Sequence, residues 1–332
     1  MSTRITTRLS RLFFSVMMEI MKRFLILPLS LALVGCSVSP TTVQNVTKSV
    51  IETLQAPGDN SAENRAAATY IASLKKAPAS SGDIKKLLAQ SRSNRKTGAW
   101  NKAQSAAESA VRRDAKNITA WLELAEVWGE QAGDLRKGRY ASAISGAEWK
   151  QLHKFYARWE ACAHEATKAS TRNGLAWFEL SRAATFNRNY PAADAALWKA
   201  IQFAPKNESI YWWGLQMFQP KWLDEPQKLI QVAQAAAKNA PHSHKLGSEI
   251  TYAFDKAGIM NQRGPILEQL AANTQTDSTA VYEAGAVYHY EKRQYRKAEQ
   301  FYERALKMDG KNYRAWKSLA ELTYYVKRDT QK

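Results

Sequence analysis

The sequence predicts an all-α fold of paired helices stacked side by side, and three observations predict it. First, an alanine late in one apolar stretch is followed eleven residues later by the aromatic opening the next, at Ala110 to Trp121, Ala166 to Trp177, Ala200 to Tyr211 and Ala305 to Trp316. Second, apolar residues within these stretches fall three or four apart, the period of one helix face. Third, no stretch alternates apolar and polar residues between turn signals, so no sheet is expected.

The leader comes first. Residues 1–20 hold nothing recognisable, and initiation at Met21 would give a more compact start. Lys22 and Arg23 precede an apolar run over residues 24–34, broken only by Pro28 and Ser30 and too short to span a bilayer. Basic residues, a short apolar core and small residues at its end describe a secretory signal over residues 1–35. Leu33-Val34-Gly35-Cys36 resembles the lipobox of bacterial lipoproteins. That resemblance implies that Cys36 receives a diacylglyceryl group and becomes the acylated (palmitate-bearing) N-terminus. By the same resemblance, Ser37, where inner-membrane retention favours Asp, implies the outer membrane, with the chain facing the periplasm of a Gram-negative bacterium. The competing readings are an ordinary signal with an incidental cysteine, or a membrane-spanning segment. Glu19, Lys22, Arg23 and Pro28 interrupt the longer apolar span that the latter needs.

Residues 36–62 are rich in Ser, Thr, Asn and Pro, with one partly apolar patch over 46–54, and read as a lipid-anchored tether. Residues 63–84 hold an N-terminal helix and a break at Pro78-Ala79-Ser80-Ser81-Gly82-Asp83. Residues 85–332 form the array. Its clearest unit, GLAWFELSRAATFNRNYPAADAALWKAIQFAPKN, runs 34 residues from Gly174 to Asn207. Trp177, Leu180 and Ser181 mark a first helix; Ala193, Leu197, Ala200 and Pro205 mark a second. This unit resembles a tetratricopeptide repeat (TPR). Small residues let two antiparallel helices approach, and Pro stops the second. The resemblance implies a right-handed α-solenoid whose first helices line a concave, peptide-binding groove.

The pattern returns at Trp100, Ala103, Ala107 and Ala110, and at Gly285, Tyr288, Tyr295, Ala298, Tyr302 and Ala305. It is irregular twice. Trp121 and Trp177 lie 56 apart, so one unit carries about 22 extra residues, as a lengthened or added helix around 140–156. Between Tyr211 and Val281 the motif decays, with Ala235-Ala236-Ala237, Pro241 and Ala271-Ala272 marking second-helix ends.

The chain has 48 Lys plus Arg against 30 Asp plus Glu; the leader takes five bases and one acid, leaving 43 against 29, a formal +14. Acids and bases are interleaved, as expected for solvated helix faces. Cys162, the cysteine beyond Cys36, is read as a buried inert thiol. No Gly-rich phosphate loop, nucleophile elbow or paired-His metal motif occurs, and His242-Ser243-His244 reads as a solvated turn. No metal or cofactor is implied, and an enzyme is not expected.

Matching first-helix positions to the repeat gives groove candidates: Phe178, Arg182 and Phe186; Leu122 and Glu126; Trp212 or Trp213 beside an inward Tyr211; and Tyr282, His289, Arg314, Lys317, Glu321, Tyr324 and Tyr325. Aromatic and basic side chains suit an acidic or aromatic peptide. The expectation is a non-enzymatic scaffold holding another envelope protein or peptide: an assembly factor, a secretion or pilus component, or a cell-wall enzyme. The alternative is a basic surface for an anionic cell-wall polymer, or for nucleic acid if some crosses the envelope.

Overall fold

The structure, a computed structural model, describes residues 61–78, 81–239 and 245–329. Cys36 with its leader and tether, and the His242-Ser243-His244 turn, lie outside the described residues. Those residues hold fourteen α-helices and no strand. Helix α1 (Ser61–Lys76) precedes six hairpins: α2 (Ile84–Lys96) with α3 (Trp100–Arg113), α4 (Ile118–Arg136) with α5 (Gly146–Ala169), α6 (Gly174–Phe186) with α7 (Tyr190–Phe203), α8 (Glu208–Met217) with α9 (Pro226–Asn239), α10 (Leu246–Lys256) with α11 (Arg263–Asn273), and α12 (Ser278–Ala286) with α13 (Tyr295–Met308). Helix α14 (Tyr313–Asp329) opens a seventh unit. Each first helix also packs on the first helix of the next unit, from α2 through to α14, which makes the array a TPR-like solenoid.

The eleven-residue spacing has a hydrogen-bonding cause. The Nε1–H of Trp121 donates to the carbonyl of Ala115 at 2.9 Å, that of Trp177 to Thr171 at 2.7 Å and that of Trp316 to Gly310 at 2.9 Å, while the Tyr211 hydroxyl donates to Pro205 at 2.6 Å. Each aromatic therefore ties its helix to the carbonyl six residues upstream, in the loop leaving the previous unit. An asparagine four residues before each aromatic, Asn117, Asn173, Asn207 and Asn312, caps the helix by accepting from its first backbone N–H groups. The alanines that precede, Ala110, Ala166, Ala200 and Ala305, are fully buried where helices cross.

The extra residues lengthen both helices of the second hairpin. Helices α4 and α5 have 19 and 24 residues against 13 and 14 in α6 and α7. With Ala166 aligned on Ala200, residues 132–155 project beyond the neighbouring hairpins. The projecting tip is closed by a capping box: Ser145 Oγ accepts from the Glu148 N–H, and the Glu148 carboxylate accepts from the Ser145 N–H at 2.8 Å. Arg139 donates to the same carboxylate at 2.7 Å. The Arg139 hydrogen bond, then those from Ser145, hold the Glu148 carboxyl at about 2 against an ordinary 4.5. A depressed folded value stabilises the tip above the ordinary value and loses that stabilisation as pH falls towards 2. Carboxyl NMR should show Glu148 titrating near 2, with 132–155 amides losing exchange protection over the same fall and Glu148→Gln removing the transition. A midpoint near 4.5 would break this account.

Helix α1 is part of the packed body. Ala67, Ile71 and Leu74 are buried against α5 and α3, Lys75 pairs with Glu165, and the Asn187 side chain donates to Asn64 at 2.9 Å. Its core runs from α1 into α7; a second runs from α6 to α14 and shares Trp177 and Phe186 with the first, and a third around Tyr288, Ala298, Tyr302 and Leu322 shares Tyr282 and Phe301 with the second. Cys162 is fully buried, and burial pushes its thiol well above the ordinary range, as an inert core thiol requires.

Candidate functional site

On the three consecutive aromatics of α8, a turn of 100° per residue separates their fates. Tyr211 is fully buried, Trp213 is 6% exposed and Trp212 is 47% exposed. Trp212 is thus the member left open to solvent. Trp213 instead packs at 5.9 Å, stacked, on Phe186 of α6. Periodicity alone does not separate Trp212 from Trp213; burial does.

Around Phe186 an aromatic floor assembles from three hairpins. Tyr156 and Trp159 of α5 stack on it at 5.4 and 5.5 Å, and Trp222, from the α8–α9 loop, meets it edge-on at 5.2 Å. Arg182, one turn earlier on α6, lies 5.2 Å from the Trp159 ring and 5.7 Å from Phe178, and donates to Glu179 at 3.0 Å. Glu179 also accepts from Trp159 Nε1 at 2.6 Å. Phe178, Arg182 and Phe186 lie along one helix, and each is half-buried. A guanidinium pinned over two rings is an ordered cation that loses little freedom on binding an acidic group.

Towards the N-terminus the first-helix side is charged and internally neutralised. Arg95 of α2 reaches Glu126 at 2.7 Å and also bridges Glu130, while Arg92 holds the buried Glu123 at 2.9 Å. Burial raises the Glu126 carboxyl, with Arg95 opposing. Leu122 is half-buried beside it. Towards the C-terminus, Tyr282 is half-buried against Tyr302, Arg314 lies 3.4 Å from Glu283, and Lys317 faces Glu321 at 3.8 Å. Tyr324 is 62% exposed; Tyr325 has a described backbone only. Glu283 is itself buried, and burial raises its carboxyl.

His289 is a correction. It is 4% exposed, its Nδ1 lies 3.2 Å from the Tyr302 hydroxyl, and burial lowers its pKa. Helix α12 continues as a π-turn over Val287–Glu291, and the wider turn shifts the register. His289 thereby turns inward, and its neighbour Tyr290, 56% exposed, takes the outward place and donates to Glu321 at 2.8 Å.

Leu175, Trp212, Tyr252, Tyr290, Tyr313, Trp316 and Tyr324 are all exposed. Every one lies on a first helix or its π extension; among the described residues Tyr140 is the other large exposed apolar side chain. The described residues contain no group of three or more His, Cys, Asp or Glu side chains able to hold a metal, and no helix long and apolar enough to cross a membrane.

No family model and no curated protein matches this chain. Among solved structures, it is similar to MamA at 14% identity over 63% of this chain and 95% of that one, with a TM-score of 0.42. It is similar to IFIT1 with a capped oligonucleotide at 16% identity over 67% of this chain and 46% of that one, at 0.43. A third is YrrB, a TPR protein with an unusual peptide-binding site, at 12% identity over 71% and 91% and a TM-score of 0.35. These overlays are partial. The class of this protein rests on its own stacked hairpins and is a TPR-like helical-repeat protein.

Proposed function

We propose that this protein is a non-enzymatic scaffold that holds a protein partner along its first helices, tethered by a lipidated Cys36 to the periplasmic face of the outer membrane. The observation that carries the binding half is the outward apolar series on first helices, centred on Trp212 and the Phe178–Arg182–Phe186 surface. Aromatic side chains are enriched at protein–protein interfaces, and among the described residues the first helices and their π extension carry most of the exposed ones. The pinned Arg182 favours an acidic or aromatic segment of an envelope protein: an assembly factor, a secretion or pilus component, or a cell-wall enzyme. The lipobox resemblance at Leu33-Val34-Gly35-Cys36 supports the anchored half.

The test is capture from crosslinked cells carrying the native chain, Trp212→Ala or Arg182→Ala. Each substitution should weaken capture of one common partner set by about tenfold or more, the size of a hot-spot loss. Unchanged capture by both would remove the groove from the proposal. Binding that collapses with salt, without loss in either variant, would favour the anionic-polymer reading. Cys36→Ser should move the protein from the membrane to the soluble periplasmic fraction, and an unchanged membrane fraction would overturn the anchor.

A further inference from the structure

The lengthened hairpin creates a second concavity, away from the first-helix groove. A cleft of about 460 Å³ opens where the projecting parts of α4 and α5 stand beside the start of α3. Helix α1 packs on both α3 and α5, and its Tyr70 reaches the cleft's edge at Arg158. Its volume lies in the range of small-molecule sites.

Its walls combine three chemistries. Trp100 of α3 and Phe155 of α5 give half-buried ring faces over a floor made by the buried Trp128. Asn101, Gln104, Gln131 and Gln151 bring side-chain amides, each able to donate and accept. Lys137, Lys154 and Arg158 supply three cations against one carboxylate, Asp134, which accepts from Trp100 Nε1 at 3.0 Å. None of the three cations has a carboxylate within ion-pairing distance among the described residues. The Arg158 guanidinium is fixed all the same, 4.6 Å from the Tyr70 ring and 4.6 Å from the Trp128 ring. A clamped, unneutralised cation is ready for an anion at little ordering cost.

Rings suit the C–H face of a sugar, amides its hydroxyls and cations a carboxylate. We infer that this cleft is a binding site for an acidic sugar residue, and that the extra residues of the second hairpin exist to build it. Half of the lining, Asp134, Leu135, Lys137, Gln151, Lys154 and Phe155, comes from the projecting segment. The site stands apart from Trp212 and Arg182, so it survives or fails independently of the scaffold reading.

The experiment is ligand-observed NMR and calorimetry on the full chain in detergent, with glucuronic acid and muramic acid as probes and N-acetylglucosamine and phenylpropionate as controls. Binding of either acidic sugar, absent for the neutral one, is expected, weakened about five- to tenfold by Lys154→Gln and further by Lys137→Gln. Both lysines are exposed, so each variant should melt with the native protein. Trp212→Ala should bind the probes unchanged. Phenylpropionate binding as well as the acidic sugars would overturn the sugar assignment. No saturable binding, or binding indifferent to both lysine changes, would overturn the site.

Discussion

Trp159→Ala is expected to cost about 3–5 kcal/mol, the range for deleting a large buried aromatic, read as a lowered urea midpoint at unchanged slope. The ring is 3% exposed, stacks on Phe186, lies under Arg182 and donates to Glu179, itself 5% exposed. Its other side fills the space above Gly129 of α4, where a Cβ would stand 2.8 Å from the indole. The two residues form one fitted pair, and a mutant cycle exposes it. Alone, Gly129→Ala must displace the ring and should cost about 1–3 kcal/mol. With Trp159→Ala already made, the obstruction is gone, and the same change should stabilise by about 1 kcal/mol through helix propensity. An equal cost in both backgrounds would show that the ring and the glycine do not communicate.

That pair also explains what the sequence disclosed and what it hid. The repeat was legible because its spacing has a fixed physical origin: the aromatic of each first helix must reach back six residues to a loop carbonyl, and the alanine eleven residues before it must sit where backbones cross. Register also places Phe178, Arg182 and Phe186 along one helix, but it does not reveal that Phe186 is packed among the rings of three hairpins. Trp159 was not legible, because it occupies the place held by Ala103, Ala193 and Ala298 in other units, seven residues before the crossing alanine. The readable signal was the exchange itself, a large residue at a small position with Gly129 opposite. Helix α1 carries no repeat signal; its burial comes from packing on α3 and α5, which spacing does not reveal. The inward turn of His289 is invisible in the sequence because a π-turn changes register without changing composition.

The stretch where the motif fades, from Tyr211 to Val281, is held by a different device, and Gly247→Ala should expose it. Gly247 opens α10 against α12 so closely that a Cβ would lie 2.3 Å from Ala280 Cα and 2.7 Å from Ala280 N. No side chain can swing away from such a contact; one helix must move. The movement would also disturb Asp277, fully buried, whose carboxylate accepts from the Gly247 N–H at 3.3 Å and from the Ala280 N–H at 2.9 Å as the cap of α12. The expected cost is about 3 kcal/mol, the upper end of overpacking plus part of a cap. It should be localised: hydrogen exchange should rise across α10–α14 while α2–α6 keep their protection, because each hairpin contacts only its neighbours. Uniform loss along the chain would mean that the solenoid unfolds as one cooperative body. A change below about 0.5 kcal/mol, the ordinary range for surface positions, would mean that α10 and α12 have room to separate and that the unit is closed by something other than this glycine.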